Sequence, residues 1–261
     1  MRIYLKRFFT NRYILYTLGF IFVFFLWLFL SKVVFGQTYL FPSPGETFAK
    51  FTSLLTERYT WLSIGWSLLR TLIGFAISLA AALIVGIFAG NFKGLYLFLK
   101  PLIGILKSIP TAAFVFLFLA LSGSRFAPTY IVFLLSFPIL YESIAGGIKS
   151  IPSDILDAAR VDGAPILSTI FVIKLPLAMP YVSVGLASSF ALSLKTEIMA
   201  EIITGDTNYG LGCMISVYRN LDPTDLTPIF AIALIALIIV VITDIFGMLI
   251  DKYFDLENRY K

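Results

Sequence analysis

Residues 151–180 read IPSDILDAARVDGAPILSTIFVIKLPLAMP, and this polar stretch lies between two apolar runs. It carries Asp154, Asp157, Arg160, Asp162 and Lys174, yet its apolar residues keep helical spacing. Pro152 suits a first helical position, with Ser153 and Asp154 in the first turn, where acceptors and negative charge are favoured. Ile155, Leu156 and Ala159 then share one face. Gly163 stops that helix and Pro165 can start another. Ile166, Ile170 and Ile173 repeat at helical spacing up to Pro176. The stretch therefore predicts two short amphipathic helices meeting at a glycine elbow. Between apolar runs, such an element is either a packed connector or a docking surface for a soluble partner.

Composition sets the surroundings. Of 261 residues, 59% are hydrophobic and only 13% charged, against about 25% charged in soluble domains. Apolar runs occupy residues 14–35, 71–90, 111–121, 128–148, 181–203 and 228–250. The first is long enough to be an uncleaved span and lacks a small-residue cleavage site. Pro101 and Pro110 interrupt the third region and predict a broken helix there. Small residues let membrane helices approach closely, so Gly74, Ala81 and Gly86 read as packing positions. The chain thus reads as one all-α integral membrane domain over residues 1–261, with about six transmembrane helices.

Several functions are disfavoured at once. There is no histidine, which removes the commonest metal ligand and general base. The lone Cys213 cannot form an internal disulfide and reads as a small apolar filler. Neither a paired metal motif nor a nucleophile with a base is present, so no cofactor is expected and a membrane enzyme is a poor reading. Basic residues are scattered around apolar runs, without a nucleic-acid pattern. A structural subunit of a membrane complex remains open on composition alone.

The charges orient the chain. With the N-terminus inside, Arg2, Lys6, Arg7, Arg12, Lys93, Lys100, Lys107, Lys149, Arg160, Lys174, Lys252, Arg259 and Lys261 fall on the inner side. Lys32, Lys50, Arg58, Arg125 and Arg219 fall outside. The excess of inner Lys and Arg puts both termini and residues 151–176 in the cytoplasm.

The spacing within that loop is specific. Asp157-Ala158-Ala159, three residues, Gly163, nine residues, then Ile173-Lys174-Leu175-Pro176 resembles the signature loop of the membrane subunits of binding-protein-dependent ABC importers. That family carries Glu where Asp157 stands, so the carboxylate is kept on a shorter side chain. A second segment is similar to the nitrate/sulfonate/taurine branch: Pro42-Ser43-Pro44, an amphipathic stretch with Phe48, Phe51, Leu54 and Leu55, then Ser67 through Phe75. The resemblance implies a cytoplasmic coupling helix in which Asp157, Ala158, Ala159, Gly163, Ile173, Leu175 and Pro176 meet an ATPase subunit. It also implies an extracytoplasmic solute-binding protein, a likeness to permeases that work as homodimers in the lipid of a bacterial inner membrane, and alternating access driven by ATP. The chain itself hydrolyses nothing, having no Gly-rich loop ending in Lys-Ser/Thr.

Ionisable groups at membrane depth are costly and mark bundle interiors or wet cavities. Arg70 lies at a span edge, where snorkelling is the default. Asp244 is less than two turns from the inner end of its span, and snorkelling or a local helix contact is the default there. Glu142 follows Pro138 and suits either the path or a neighbouring helix. Ser189, Ser193, Glu197 and Glu201 recur every four residues on one face, and Lys195 points about 160° away from Glu197 at 100° per residue. Lys195 therefore needs a partner on another helix, on a second copy or in the solute. Because the resemblance implies that this span lines the route, these five and Glu142 are the candidate pathway residues. The branch points to a nitrate-, sulfonate- or taurine-like anion. The three glutamates against one lysine suit a neutral or cationic heterocycle, such as a vitamin precursor.

Overall fold

The computed structural model describes residues 12–36, 40–205 and 209–254, and every regular element among them is helical. In order they are α1 (Arg12–Phe29), α2 (Pro44–Thr56), α3 (Arg58–Asn91), α4 (Lys93–Ser108), α5 (Thr111–Ser122) and α6 (Ala127–Lys149). Then come α7 (Ser153–Val161), α8 (Ile166–Thr204), α9 (Leu211–Leu221) and α10 (Thr227–Phe254). Arg2, Lys6, Arg7, Arg259 and Lys261, which entered the charge tally, lie outside the described residues.

The helices α1, α3, α6, α8 and α10 are long and apolar enough to cross a membrane. The 12-residue α5 is about 18 Å long, short of the ~30 Å hydrocarbon core. It is long enough to cross only when counted together with α4, which meets it at 94°. The expected broken helix is there, and the break falls at Ile109–Pro110, both extended. Pro101 does not interrupt anything; it sits inside α4.

Local chemistry starts and stops these elements. Ser43 caps α2: its side chain accepts from the Glu46 N–H, and Glu46 Oε2 accepts from the Ser43 N–H at 2.8 Å. This is a reciprocal capping box with Pro44 in the first turn. Extended Glu57 then breaks the chain, and α3 starts at Arg58 rather than residue 71. Hydropathy alone misses those early turns because their polar residues, Thr60, Ser63 and Ser67, are buried against neighbouring helices.

The core is built around α6, which packs along α3 on one side and α8 on the other. The α3 contact depends on small residues four apart. A Cβ on Gly74 would stand 2.7 Å from the Thr129 carbonyl, and one on Gly90 2.8 Å from Ile148. Gly86, Ser78 and Ala82 fill the same row, all buried. The row passes through Ala82, fully buried, and not through Ala81, which is half-exposed. A second cluster joins Leu54, Leu194, Met214 and Ile232, tying α2, α8, α9 and α10 together. On the periphery, α1 exposes most of its apolar face, Phe20 at 79%. Trp27 Nε1 donates to the Pro42 carbonyl at 3.0 Å and anchors it.

The second short helix expected after the elbow is instead the start of α8, one helix from Ile166 to Thr204. Pro176 does not end it. The turn before the proline, Thr169–Lys174, is a π-helix in which the Leu175 N–H reaches back to the Ile170 carbonyl. The widened turn gives the proline ring room that an ordinary α-turn denies it. Pro152 likewise sits one place earlier than expected, as the N-cap of α7.

Candidate functional site

The elbow after α7 closes with a Schellman motif. The Ala164 N–H donates to the Ala159 carbonyl and the Gly163 N–H to the Arg160 carbonyl, both at 3.0 Å. Gly163 has φ +71°, and nothing lies within 4 Å of the place a Cβ would take. The glycine is required by backbone conformation, which a side chain disfavours by about 1–2 kcal/mol, and not by close approach. Around it, Asp157 pairs with Arg160 at 2.8 Å, both side chains well exposed. Ala158 is exposed, while Ala159 is buried against the chain's own body. Ile155, on the same face as Ala159, is 40% exposed, and Val161, on the face of Asp154 and Asp157, is 87% exposed. Ile173 and Leu175 are half-buried and Pro176 exposed, at the foot of α8. There Lys174 Nζ donates to Asn91 Oδ1 at 2.5 Å, linking α8 to the end of α3.

The polar face of α8 holds together as its four-residue spacing predicts, and it is buried. Ser189 Oγ donates to the Gly185 carbonyl and Ser193 Oγ to that of Ser189, both at 2.6 Å. Ser193 also meets Ser136 of α6 at 2.7 Å. Glu197 is fully buried with no hydrogen-bond partner for either carboxylate oxygen among the described residues. Glu201, also fully buried, is the most heavily bonded side chain of the face. It accepts from Arg70 Nη1 at 2.8 Å, from Ser67 Oγ at 2.8 Å and from the Gly212 N–H at 2.9 Å. Ser67 Oγ in turn accepts from the Leu211 N–H at 2.9 Å. The carboxylate thus sits on the first turn of α9, where negative charge is favoured.

Sequence reasoning missed most of this cluster. Arg70 does not snorkel; it is 9% exposed and bonds Glu201 and the Tyr209 carbonyl. Gly210 and Gly212 make room for the contact: a Cβ on Gly210 would fall 2.4 Å from Glu201 Oε1, and one on Gly212 2.3 Å from the Ile198 carbonyl. The available signal was Gly-Leu-Gly at residues 210–212, opening a helix just after a buried-looking Glu at residue 201. The remaining candidates lie on the open surface. Lys195 Nζ is 3.7 Å from Asp244 of α10, and Lys107 Nζ is 2.6 Å from Glu142, with all four side chains between 37% and 53% exposed. Lys195 therefore has its partner on another helix of the same chain.

Known proteins place this architecture. Residues 82–255 match the family of binding-protein-dependent transport system inner membrane components. The chain is 25% identical over 222 residues to the putative aliphatic sulfonates transport permease protein SsuC of Bacillus subtilis, covering 84% of this chain and 79% of that one. It is 27% identical over 200 residues to the nitrate import permease protein NrtB of a Synechocystis species, covering 76% and 68%. It is 28% identical over 207 residues to the riboflavin transport system permease protein RibX of Chloroflexus aurantiacus, covering 78% and 75%. Its fold superposes on a chain of the inward-facing MetNI methionine ABC transporter with TM-score 0.62 and 18% identity, over 76% of this chain and 98% of that one. The matched region contains α6, the whole elbow, α8, α9 and the polar face between them. The chain belongs to the binding-protein-dependent inner membrane components: it is a non-enzymatic, multi-pass ABC importer permease of the nitrate/sulfonate branch.

Proposed function

We propose that α7 is the coupling helix of this permease, docked in a groove of a cytoplasmic ATPase subunit, and that two copies of the chain enclose the solute route. The observation that carries the docking is an exposed apolar side chain near the end of α7. Val161 is 87% exposed on this nine-residue helix. Leaving such a side chain in water wastes roughly 1.5–3 kcal/mol of burial, and a partner groove recovers it. The orientation follows the segregation of basic residues. Lys50 lies over the Tyr218 ring, so α2 and α9 share one end of the bundle. Lys149 lies over the Tyr96 ring, and Lys174 reaches Asn91, at the end that carries α7. The excess of cations on the α7 side supports a cytoplasmic elbow and cytoplasmic termini. An extracytoplasmic binding protein then delivers solute to the α2–α9 end.

For the route, Glu142 and Lys195 are the wall residues, being half-exposed on the chain's open surface. Ser189, Ser193, Glu197 and Glu201 form the layer behind, and Glu197 keeps a carboxyl free for a rearranged state. The solute in this reading is a small nitrate- or sulfonate-like anion, as the names of two relatives suggest. A neutral heterocycle is the second reading. It is favoured by the riboflavin permease among the relatives and by the offsetting of Lys195 and Lys107 by Asp244 and Glu142.

Two measurements test this. The full-length chain purified from its native membrane should bring down an ATP-binding subunit, and Val161→Asp should insert normally yet bring down none. Equal recovery from both chains removes α7 from the interface. Thermal stabilisation of the binding protein by sulfonates or nitrate, against flavin-like heterocycles, then decides the solute class.

A further inference from the structure

Two hollows adjoin where the end of α3 faces the start of α8. The larger, about 540 Å³, is walled by residues such as Leu83, Ile87 and Ile170 and presents no polar surface. The smaller, about 240 Å³, contains Arg160 and Lys174. They share Asn91, Phe92, Ile166 and Ile170 in their linings, so they lie side by side. The chemistry changes abruptly along this line, from hydrocarbon-like to cationic.

Its dimensions match a membrane leaflet. From Leu83 to Asn91 the α3 axis rises about 12 Å, a little under half of the ~30 Å hydrocarbon core. The cationic end coincides with the end of α3, where a spanning helix meets the headgroup layer. The charge there is incompletely balanced. Arg160 shares Asp157 on its own helix, but Lys174 meets only the neutral amide of Asn91 and enters no ion pair among the described residues. Three demands therefore converge on one occupant: a long apolar body, a polar end and a negative charge.

We propose that the two hollows form one site for an anionic phospholipid, with an acyl chain in the apolar hollow and the phosphate between Arg160 and Lys174. Arg160 belongs to α7 and Lys174 to α8, so a bound phosphate bridges the two sides of the glycine elbow. The lipid then sets the angle at which α7 is presented. The site itself stands without the ATPase docking proposed above, and only this last consequence rests on that reading.

The test uses the full-length chain purified without partner subunits and exchanged into equal mixtures of phosphatidylglycerol and phosphatidylcholine. Retained lipid is counted by native mass spectrometry. Phosphatidylglycerol should be retained preferentially. Lys174→Gln and Arg160→Gln should each reduce that retention by about fivefold, the weight of one cation against an anionic headgroup. Ile170→Trp, which fills the apolar hollow, should lower retention of both lipids. The proposal is overturned by equal retention of the two lipids, or by phosphatidylglycerol retention unchanged in all three variants. It also fails if inorganic phosphate displaces the lipid, since the site would then take a free anion. A lipid-free chain that is dimeric, and whose dimer is broken by Ile170→Trp, would assign the groove to a second copy instead. The two glutamine variants lie at half-exposed or exposed positions, so the test survives if the tryptophan variant fails to fold.

Discussion

The two ends of α8 are held in opposite ways. At its C-terminal end, Glu201 collects Arg70, Ser67 and the Gly212 N–H in a region closed to solvent. At its N-terminal end, a π-turn and a lysine–asparagine bond lead into an elbow whose ion pair is exposed. In a desolvated setting each bond is strong and each loss leaves an unpaired group. In water the same kinds of bond are worth little. The first end keeps α9 fixed on α3 and α8, whereas on the coupling role proposed above the second end leaves α7 able to change its angle. A permease that passes a soluble partner's motion to its spans needs one fixed end and one adjustable end.

The largest effect should come from breaking the fixed end. Glu201→Ala strands the Arg70 guanidinium and the Gly212 N–H, and losing one partner of a buried pair costs about 3–5 kcal/mol. Unfolding of the purified chain in mixed micelles should show this loss, with hydrogen exchange rising across residues 209–221. Arg70→Ala should also destabilise, and the double variant should cost less than the sum of the two, because the Arg70–Glu201 bond is lost in both. Strictly additive losses would mean that the two side chains act independently.

Glycines at the two ends sharpen the contrast. Gly212→Ala pushes a methyl against the Ile198 backbone, and overpacking of that kind costs about 1–3 kcal/mol. Gly163→Ala meets no atom and should cost only the roughly 1–2 kcal/mol of a left-handed L-residue. Their transport phenotypes should be reversed. Gly163→Leu should insert and fold yet lose stimulation of its ATPase, whereas Gly163→Asn, better tolerated at positive φ, should retain most of it. If Leu and Asn behave alike in a transport assay, the elbow's conformation is not what couples.

Ala159 tests the packing on the near side of the elbow. It is buried at 7% exposure, and Arg there must either be buried or lift α7 away. Ala159→Arg should therefore abolish ATPase stimulation and raise protease cleavage at the elbow, while Ala158→Arg, on the exposed side, leaves cleavage unchanged. Equal cleavage in the two variants would place Ala159 at a free surface.

What could be read from the chain was local. The Gly163 elbow and the four-residue polar repeat on α8 each depend on residues a few places apart, and each is found. The Arg70–Glu201 pair joins residues 131 positions apart, and no spacing rule states which helices adjoin. The same limit explains why the packing row passes through Ala82 and not Ala81: the register is set by Thr129 and Ile148 on α6. Helix lengths were underestimated because hydropathy discards polar turns that a neighbouring helix covers, as at Ser63 and Ser67.

The smallest stability effect belongs to Lys195 and Asp244, and it is the one that bears on the solute. The pair is 3.7 Å long, with side chains 53% and 37% exposed. Solvent-exposed pairs of this kind contribute about 0–1 kcal/mol, so Lys195→Gln and Asp244→Asn should each unfold like the parent chain. Transport need not be so tolerant. If an anion passes this surface, Lys195→Gln removes an attraction there and should depress uptake, while Asp244→Asn removes a repulsion and should raise or preserve it. A cationic solute reverses the two results. A neutral heterocycle leaves both variants close to the parent, as does a chain in which the binding protein alone selects. Uptake measured for both variants beside an unchanged unfolding midpoint separates these outcomes, whereas a shifted midpoint would show that the pair is part of the packed interior after all.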